Sequence, residues 1–204
     1  MIERVVLATH NAKKLTELRR IVDAAGGGFE VLGLGDVAAY PEPDETEWTF
    51  EGNALIKARE AAARTGLAAL ADDSGLAVDC FNGMPGVRSA RWSGPDGGDA
   101  ANLDLLLRQL ADVPDEARGA RFVCAMALVL PDGHEEVLIR DMPGRLAHEP
   151  RGENGFGYDP AFVADGQTRT NGELTAAEKD AISHRGKACR AMVARIVELN
   201  GGAA

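Results

Sequence analysis

The opening stretch MIERVVLATHNAKKLTELRRIVDAAGGG, residues 1–28, decides what kind of fold this chain can adopt. Residues 2–8 are rich in β-branched apolar side chains and read as a buried strand. The strand runs without a linker into a helix, where Leu15, Leu18, Ile21 and Val22 recur at helical spacing. Gly26, Gly27 and Gly28 supply the stop. A strand that feeds straight into an amphipathic helix is the repeating step of an α/β architecture.

The same alternation continues outward. A second strand is expected at residues 29–32, then a loop over 36–47 that holds Pro41 and Pro43 among acidic residues. Residues 50–65 are Ala-rich and helical, with Gly66 placed as a C-terminal cap. An apolar strand at 67–71 stops at Asp72-Asp73-Ser74-Gly75, and another is expected at 76–80. A short helix follows at 102–110. Residues 121–130 and 135–141 flank Pro131-Asp132-Gly133-His134, a hairpin signal. A glycine-rich loop at 152–157 leads through Tyr158-Asp159-Pro160 to a short strand at 161–163. Thr175 and Glu178 form a capping box, with Leu174 as the staple residue, and the chain is then mostly helical to Leu199. Gly201 to Ala204 reads as a frayed tail. Early strand–helix alternation and a later hairpin together predict an α/β fold with a mixed sheet.

Composition bounds the function. The chain has 204 residues, 45% hydrophobic and 26% charged, enough for a packed core and unlike a disordered chain. The 32 acidic residues exceed the 22 Lys and Arg, for a net charge of −10. Such a surface repels polyanions, which argues against non-specific nucleic-acid binding and against docking on anionic lipid. A phosphate ligand must therefore be held by a local cation cluster or a metal. Cys80, Cys124 and Cys189 are scattered without C-x-x-C spacing, which suits buried thiols in a reducing compartment. Residues 1–11 lack the apolar run of a signal peptide, and the longest apolar stretch, 122–130, is far below the ~18–20 residues of a membrane span. A cytoplasmic, soluble protein is expected.

Five places carry chemistry, and each has a plainer reading. Thr9, Asn11 and Lys14 stand where the first strand meets its helix, a junction whose free N–H groups suit phosphate; equally, Asn11 or Thr9 caps the helix and the lysines are solvated. Asp72 and Asp73 are costly after an apolar strand unless they hold a cation such as Mg²⁺ or form an ordinary turn. Asn53 and Lys57 share a helix face, where a solvated lysine is the commoner case. Phe156 in its glycine loop could stack on a base or belong to the core. Ser183-His184-Arg185-Gly186 interrupts the last helix with two donors that could bind a carbonyl oxygen or cap a helix. No G-x-x-x-x-G-K-[ST] occurs, and Gly33-Leu34-Gly35-Asp36-Val37-Ala38 is rejected as a dinucleotide loop because prolines rather than a helix follow it.

Taken in order, six motifs resemble the inosine/xanthosine triphosphate pyrophosphatase family. They are T-x-N-x-x-K at Thr9, Asn11 and Lys14; T-F-x-x-N-A-x-x-K-A from Thr49; A-D-D-S-G-L from Ala71; P-G-x-x-S-A-R from Pro85; G-F-G-Y-D-P from Gly155; and S-H-R-G from Ser183. The resemblance implies a two-lobed α/β protein built on a long, twisted mixed sheet flanked by helices, forming a single domain with its active site between the lobes. It further implies a homodimer, and Mg²⁺-dependent hydrolysis of deaminated purine triphosphates (ITP, dITP, XTP) to the monophosphate and pyrophosphate. Carried over by position, Thr9, His10, Asn11, Ala12, Lys13 and Lys14 form the phosphate-binding segment, helped by Asn53 and Lys57. Glu45, Asp72 and Asp73 hold the metal, Asp73 is the catalytic carboxylate and Ser74 touches substrate. Phe156, Gly157, Tyr158, Asp159, Lys179, His184 and Arg185 bind the nucleoside. His10 departs from the pattern, standing where glycine is frequent. Donors at His184 and Arg185 fit a 6-oxo purine and would be left facing the 6-amino group of adenine. Two competitors are a pyrophosphatase for other modified nucleotides and a nucleotide sensor without turnover.

Overall fold

A computed structural model describes residues 1–201; beyond Gly201 the expected frayed tail lies outside the described residues. One mixed sheet of six strands runs in the order β2-β1-β3-β4-β5-β6. The strands are β1 (Arg4–Leu7), β2 (Glu30–Leu32), β3 (Ala68–Val78), β4 (Gly119–Val129), β5 (Glu135–Leu146) and β6 (Phe162–Ala164). β1 pairs in parallel with β2 and β3, whereas β6 lies antiparallel on β5. The helices are α1 (Ala12–Ala24), α2 (Phe50–Thr65), α3 (Asp99–Gln109), α4 (Ala176–Ile182) and α5 (His184–Leu199). The predicted mixed α/β sheet is therefore the observed one.

Two compact units divide the described residues: residues 1–73, 124–140 and 186–201 form the first, Ser74–Val123 and Asp141–Arg185 the second. In the first unit strict alternation sorts side chains to two faces of the sheet. Val5, Leu7, Leu70, Cys124, Met126 and Leu128 pack with Leu18, Ile21 and Val22 of α1 and with Met192, Val193 and Ile196 of α5. Val6, Ala69, Ala71, Ala125 and Ala127 face the other way, against Ala54, Ala58 and Ala61 of α2. Alanine on both sides lets α2 lie close to the sheet. Full burial of each large residue such as Leu18 or Ile196 is worth roughly 1.5–3 kcal/mol.

The second unit has its own core. Leu103, Leu106 and Leu110 pack from the α3 segment onto Leu76, Phe122, Met142 and Phe162. The Phe122 and Phe162 rings meet edge to face at 4.7 Å. Arg118 is tied down inside this unit: its guanidinium donates to the carbonyls of Leu110, Val113, Leu146 and Ala147.

Several local signals behave as the sequence indicates. Gly66 closes α2 at φ 66°, and the Leu130 amide donates to the His134 carbonyl at 2.9 Å in the hairpin. Thr175 and Glu178 make the reciprocal capping box, with Leu174 buried before it. Ser183 separates α4 from α5. Residues 34–36 form a single 3-10 turn, in keeping with rejection of a dinucleotide loop. The main correction concerns Asp72-Asp73-Ser74-Gly75, which is not a turn between two strands. The chain stays extended across it, so residues 68–78 make one strand of 11 residues. α3 begins at Asp99, three residues before its expected start, and β5 continues to Leu146. All three thiols are free, but Cys80 is exposed rather than buried. Among the described residues no helix is long and apolar enough to cross a membrane.

Candidate active site

Alternation along β3 sets up the charged cluster of the first unit. Leu70 points to the α1 face and Ala71 to the α2 face, and the next two residues keep the same sequence of sides. Asp72, 4% exposed, therefore meets Lys14 on α1, whose ammonium donates to its carboxylate at 2.8 and 3.0 Å. Asp73 meets α2: Asn53 Nδ2 donates to its Oδ2 at 3.1 Å, and Lys57 Nζ lies 3.9 Å from its Oδ1. Lys57 also donates to Glu45 at 2.8 Å. Asn53 is fully buried and its amide orientation is fixed from both ends, because its oxygen accepts the Glu47 backbone N–H.

Asn53 and Lys57 share a face, as their spacing indicates, but that face is the buried one. Lys57 is only 8% exposed, so the solvated-lysine reading does not hold. Burial pulls its pKa down, but its hydrogen bond to Glu45 and the charges of Asp73, Glu45 and Asp72 outweigh it, holding the ammonium above the usual lysine range. The three carboxylates thus act on one cation. Among the described residues no three His, Cys, Asp or Glu side chains gather as a ready-made metal cage. Glu45 and Asp73 meet on Lys57, while Asp72 is held by Lys14.

At the start of α1, the capping reading and the lysine–carboxylate contact coexist. Asn11 Oδ1 accepts the N–H groups of Lys13 and Lys14 at 2.9 and 3.4 Å, and Thr9 Oγ1 accepts that of Asn11 at 3.2 Å. Ala12, the first helical residue, and Lys13 are exposed. His10 turns toward the proline loop, its Nε2 3.6 Å from Glu42.

The second unit holds a cavity of about 210 Å³. Phe156 lines it, 59% exposed, with the Lys179 ammonium 4.9 Å from its ring centroid. Lys179 is ion-paired with the buried Asp159, which also accepts from the Phe156 N–H at 2.8 Å and from Asn171 Nδ2 at 3.1 Å. The S-H-R-G segment contributes two more residues to the lining. Arg185 donates to Ser74 Oγ at 3.0 Å, and the His184 ring stacks on Phe122 at 5.1 Å with planes 10° apart. The Tyr158 hydroxyl donates to the Ser89 carbonyl at 2.8 Å; burial and the Asp99 charge push its pKa up, so it remains a donor. Gly157 gives its N–H to Asp99 at 2.8 Å.

Some of these residues were not singled out by sequence. Ser89 stood in the P-G-x-x-S-A-R motif without a role; its hydroxyl accepts the Leu76 N–H at 2.9 Å and donates to the Gly86 carbonyl at 2.7 Å. Asp99 was missed because the helix was expected to begin after it, although an acidic residue suits a first helical turn. Asn171 carried no signal at all.

The Ham1 family model matches residues 5–195. A protein named dITP/XTP pyrophosphatase from Nocardia farcinica is 60% identical over 197 residues, covering 96% of each chain. One of the same name from Mycobacterium tuberculosis is 55% identical over 204 residues, covering 99% of each. Among solved structures, a nucleoside-triphosphatase/dITP/XTP pyrophosphatase from Mycobacterium abscessus is similar with TM-score 0.79 at 57% identity, covering 93% of this chain and 98% of the other. A HAM1 protein from Coxiella burnetii gives TM-score 0.89 at 39% identity, with 97% and 100% covered.

Proposed function

The chain belongs to the Ham1 family, and from that premise we propose that it hydrolyses deaminated purine nucleoside triphosphates to the monophosphate and pyrophosphate. The observation that carries the proposal is the pairing of two kinds of site on consecutive residues of β3. Asp73 belongs to a lysine–carboxylate cluster suited to phosphate, and Ser74 to an aromatic-lined cavity suited to a base.

Phosphate charge is met by side-chain cations. Asn11 already occupies the amides of Lys13 and Lys14, so Lys14 and Lys57 take the phosphate oxygens as they leave Asp72 and Glu45. Glu45, Asp72 and Asp73 offer only hard oxygen donors, the set Mg²⁺ takes, and when bound the ion would supply charge neutralisation on the triphosphate and its leaving group. Asp73, fixed by Asn53, orients a water at the α-phosphorus and accepts its proton. Catalysis is then positioning and electrostatics, without a covalent intermediate. Phe156 stacks on the purine over its Lys179 support, and His184 and Arg185 donate to the 6-oxo oxygen. Adenine would leave those donors unpaired, a loss that a polar site can turn into selectivity of up to about 10⁴–10⁵. A homodimer in the cytoplasm completes the proposal.

Pyrophosphate release from ITP, XTP, dITP, GTP and ATP, with and without Mg²⁺, tests it for the wild type and Asp73→Asn. The expected result is Mg²⁺-dependent turnover of the deaminated purines, with the variant down by about 10² or more. Release of orthophosphate would mean attack at the terminal phosphorus. Binding without turnover would leave a sensor.

A further inference from the structure

The loop that carries Phe156 is held at both of its flanking amides by carboxylates. The Phe156 N–H goes to Asp159, within the loop's own motif. The Gly157 N–H goes to Asp99, 58 residues away at the first position of α3. Gly155 and Gly157 both have left-handed backbones, at φ 80° and 61°, so the Phe156 backbone is suspended between two flexible positions. Anchors on both amides therefore decide where the ring sits.

The first turn of α3 also braces a second stretch of the same cavity's lining. Asn102 shares a helix face with Asp99 three residues earlier. It is 1% exposed, accepts from the Ser93 N–H and hydroxyl at 2.7 Å each, and donates to the Ala90 carbonyl at 3.1 Å. Ser89 and Ala90 line the cavity from that side, and Tyr158 joins the walls through the Ser89 carbonyl. α3 is thus a bracket, with a buried amide for one wall and an exposed carboxylate for the other. Because Asp99 is exposed, replacing it releases the glycine loop without opening the core.

We propose that Asp99 is a positioning residue for base recognition: through Gly157 it sets the Phe156 ring, and thereby nucleotide affinity, while the phosphate chemistry of Asp73 and its lysines is left alone. The assignment rests on the nucleotide reading of the cavity. The two are separated because the wild type tests the nucleotide reading and differences between variants test the assignment.

The test compares wild type, Asp99→Ala and Asp99→Asn in three assays: ITP steady-state kinetics, IMP binding by calorimetry, and inhibition by inorganic pyrophosphate. Loss of one partly exposed hydrogen bond to a charged group predicts KM for ITP and Kd for IMP about 5–10-fold higher in Asp99→Ala. Turnover number and pyrophosphate inhibition should stay within about twofold. Asp99→Asn keeps an acceptor oxygen without the charge and should restore both constants. A lowered Tm with unchanged KM and Kd would reduce Asp99 to a helix-start residue and overturn the assignment. Parallel weakening of pyrophosphate, or an Asp99→Asn variant no better than Asp99→Ala, would overturn it as well. A wild type that neither binds IMP nor hydrolyses ITP would remove the nucleotide reading, and the assignment with it.

Discussion

Arg118 places a full positive charge where only 1% of its surface reaches solvent, and it is held by carbonyl dipoles. One of these, Leu110, is the C-cap of α3, where the helix dipole concentrates negative partial charge. The planar fork reaches segments at 110–113 and 146–147 together, a geometry that a lysine point charge cannot reproduce. Arg118→Ala should cost about 3–5 kcal/mol by leaving several buried carbonyls unpaired, and Arg118→Lys should recover less than half. Urea denaturation measures both; a midpoint unmoved in Arg118→Ala would show the clamp to be dispensable. Lys57 solves the same burial problem differently, with carboxylates in place of carbonyls. Under the proposed function, those carboxylates are also what a triphosphate would displace.

Among the elements, α4 is the most dependent on its cap, since seven residues cannot hold a helix by propensity alone. Glu178 accepts from the Thr175 N–H and hydroxyl, and with Arg169 beside it the carboxyl is pulled down to about 2. A depressed carboxyl stabilises above its unfolded pKa and loses that contribution as pH falls through the folded value. The start of α4 should therefore loosen as pH drops from the ordinary glutamate range toward about 2, and stay unchanged between pH 6 and 8. Thr175→Ala should cost about 1 kcal/mol and raise amide exchange in residues 176–182. Exchange rates equal to wild type would refute the cap. Elements with local punctuation, such as this cap, Gly66 and the Pro131–His134 turn, were legible in the sequence. β3 was not, because Asp, Ser and Gly in a row mark turns by propensity. What keeps the strand extended is tertiary: Lys14 on one face and Asn53 with Lys57 on the other satisfy both carboxylates. Motif residues of the candidate site stood out through the family resemblance rather than local punctuation, whereas Asp99 depends on a partner 58 residues away.

Over the whole molecule the net charge of −10 divides the anions it can accept. Long polyanions meet the average surface and are repelled, while under the proposed function a small triphosphate would be met locally by Lys14 and Lys57, together with Mg²⁺. No retardation of duplex DNA is expected at 0.15 M salt; a salt-sensitive shift in a gel assay would expose a cationic face hidden by the average. Each unit has its own core, and β3 passes from one to the other between Asp73 and Ser74. That strand works as a ruler with a two-residue tick. A substitution at any tick can be graded, costing some affinity or some rate. Insertion or loss of one residue cannot: it turns every later side chain to the opposite face. One extra residue before Asp72 would offer the carboxylates to the wrong helices, and one after Asp73 would turn Ser74 away from Arg185. Descendants of this chain can therefore vary the lettering of β3, but they inherit its spelling length.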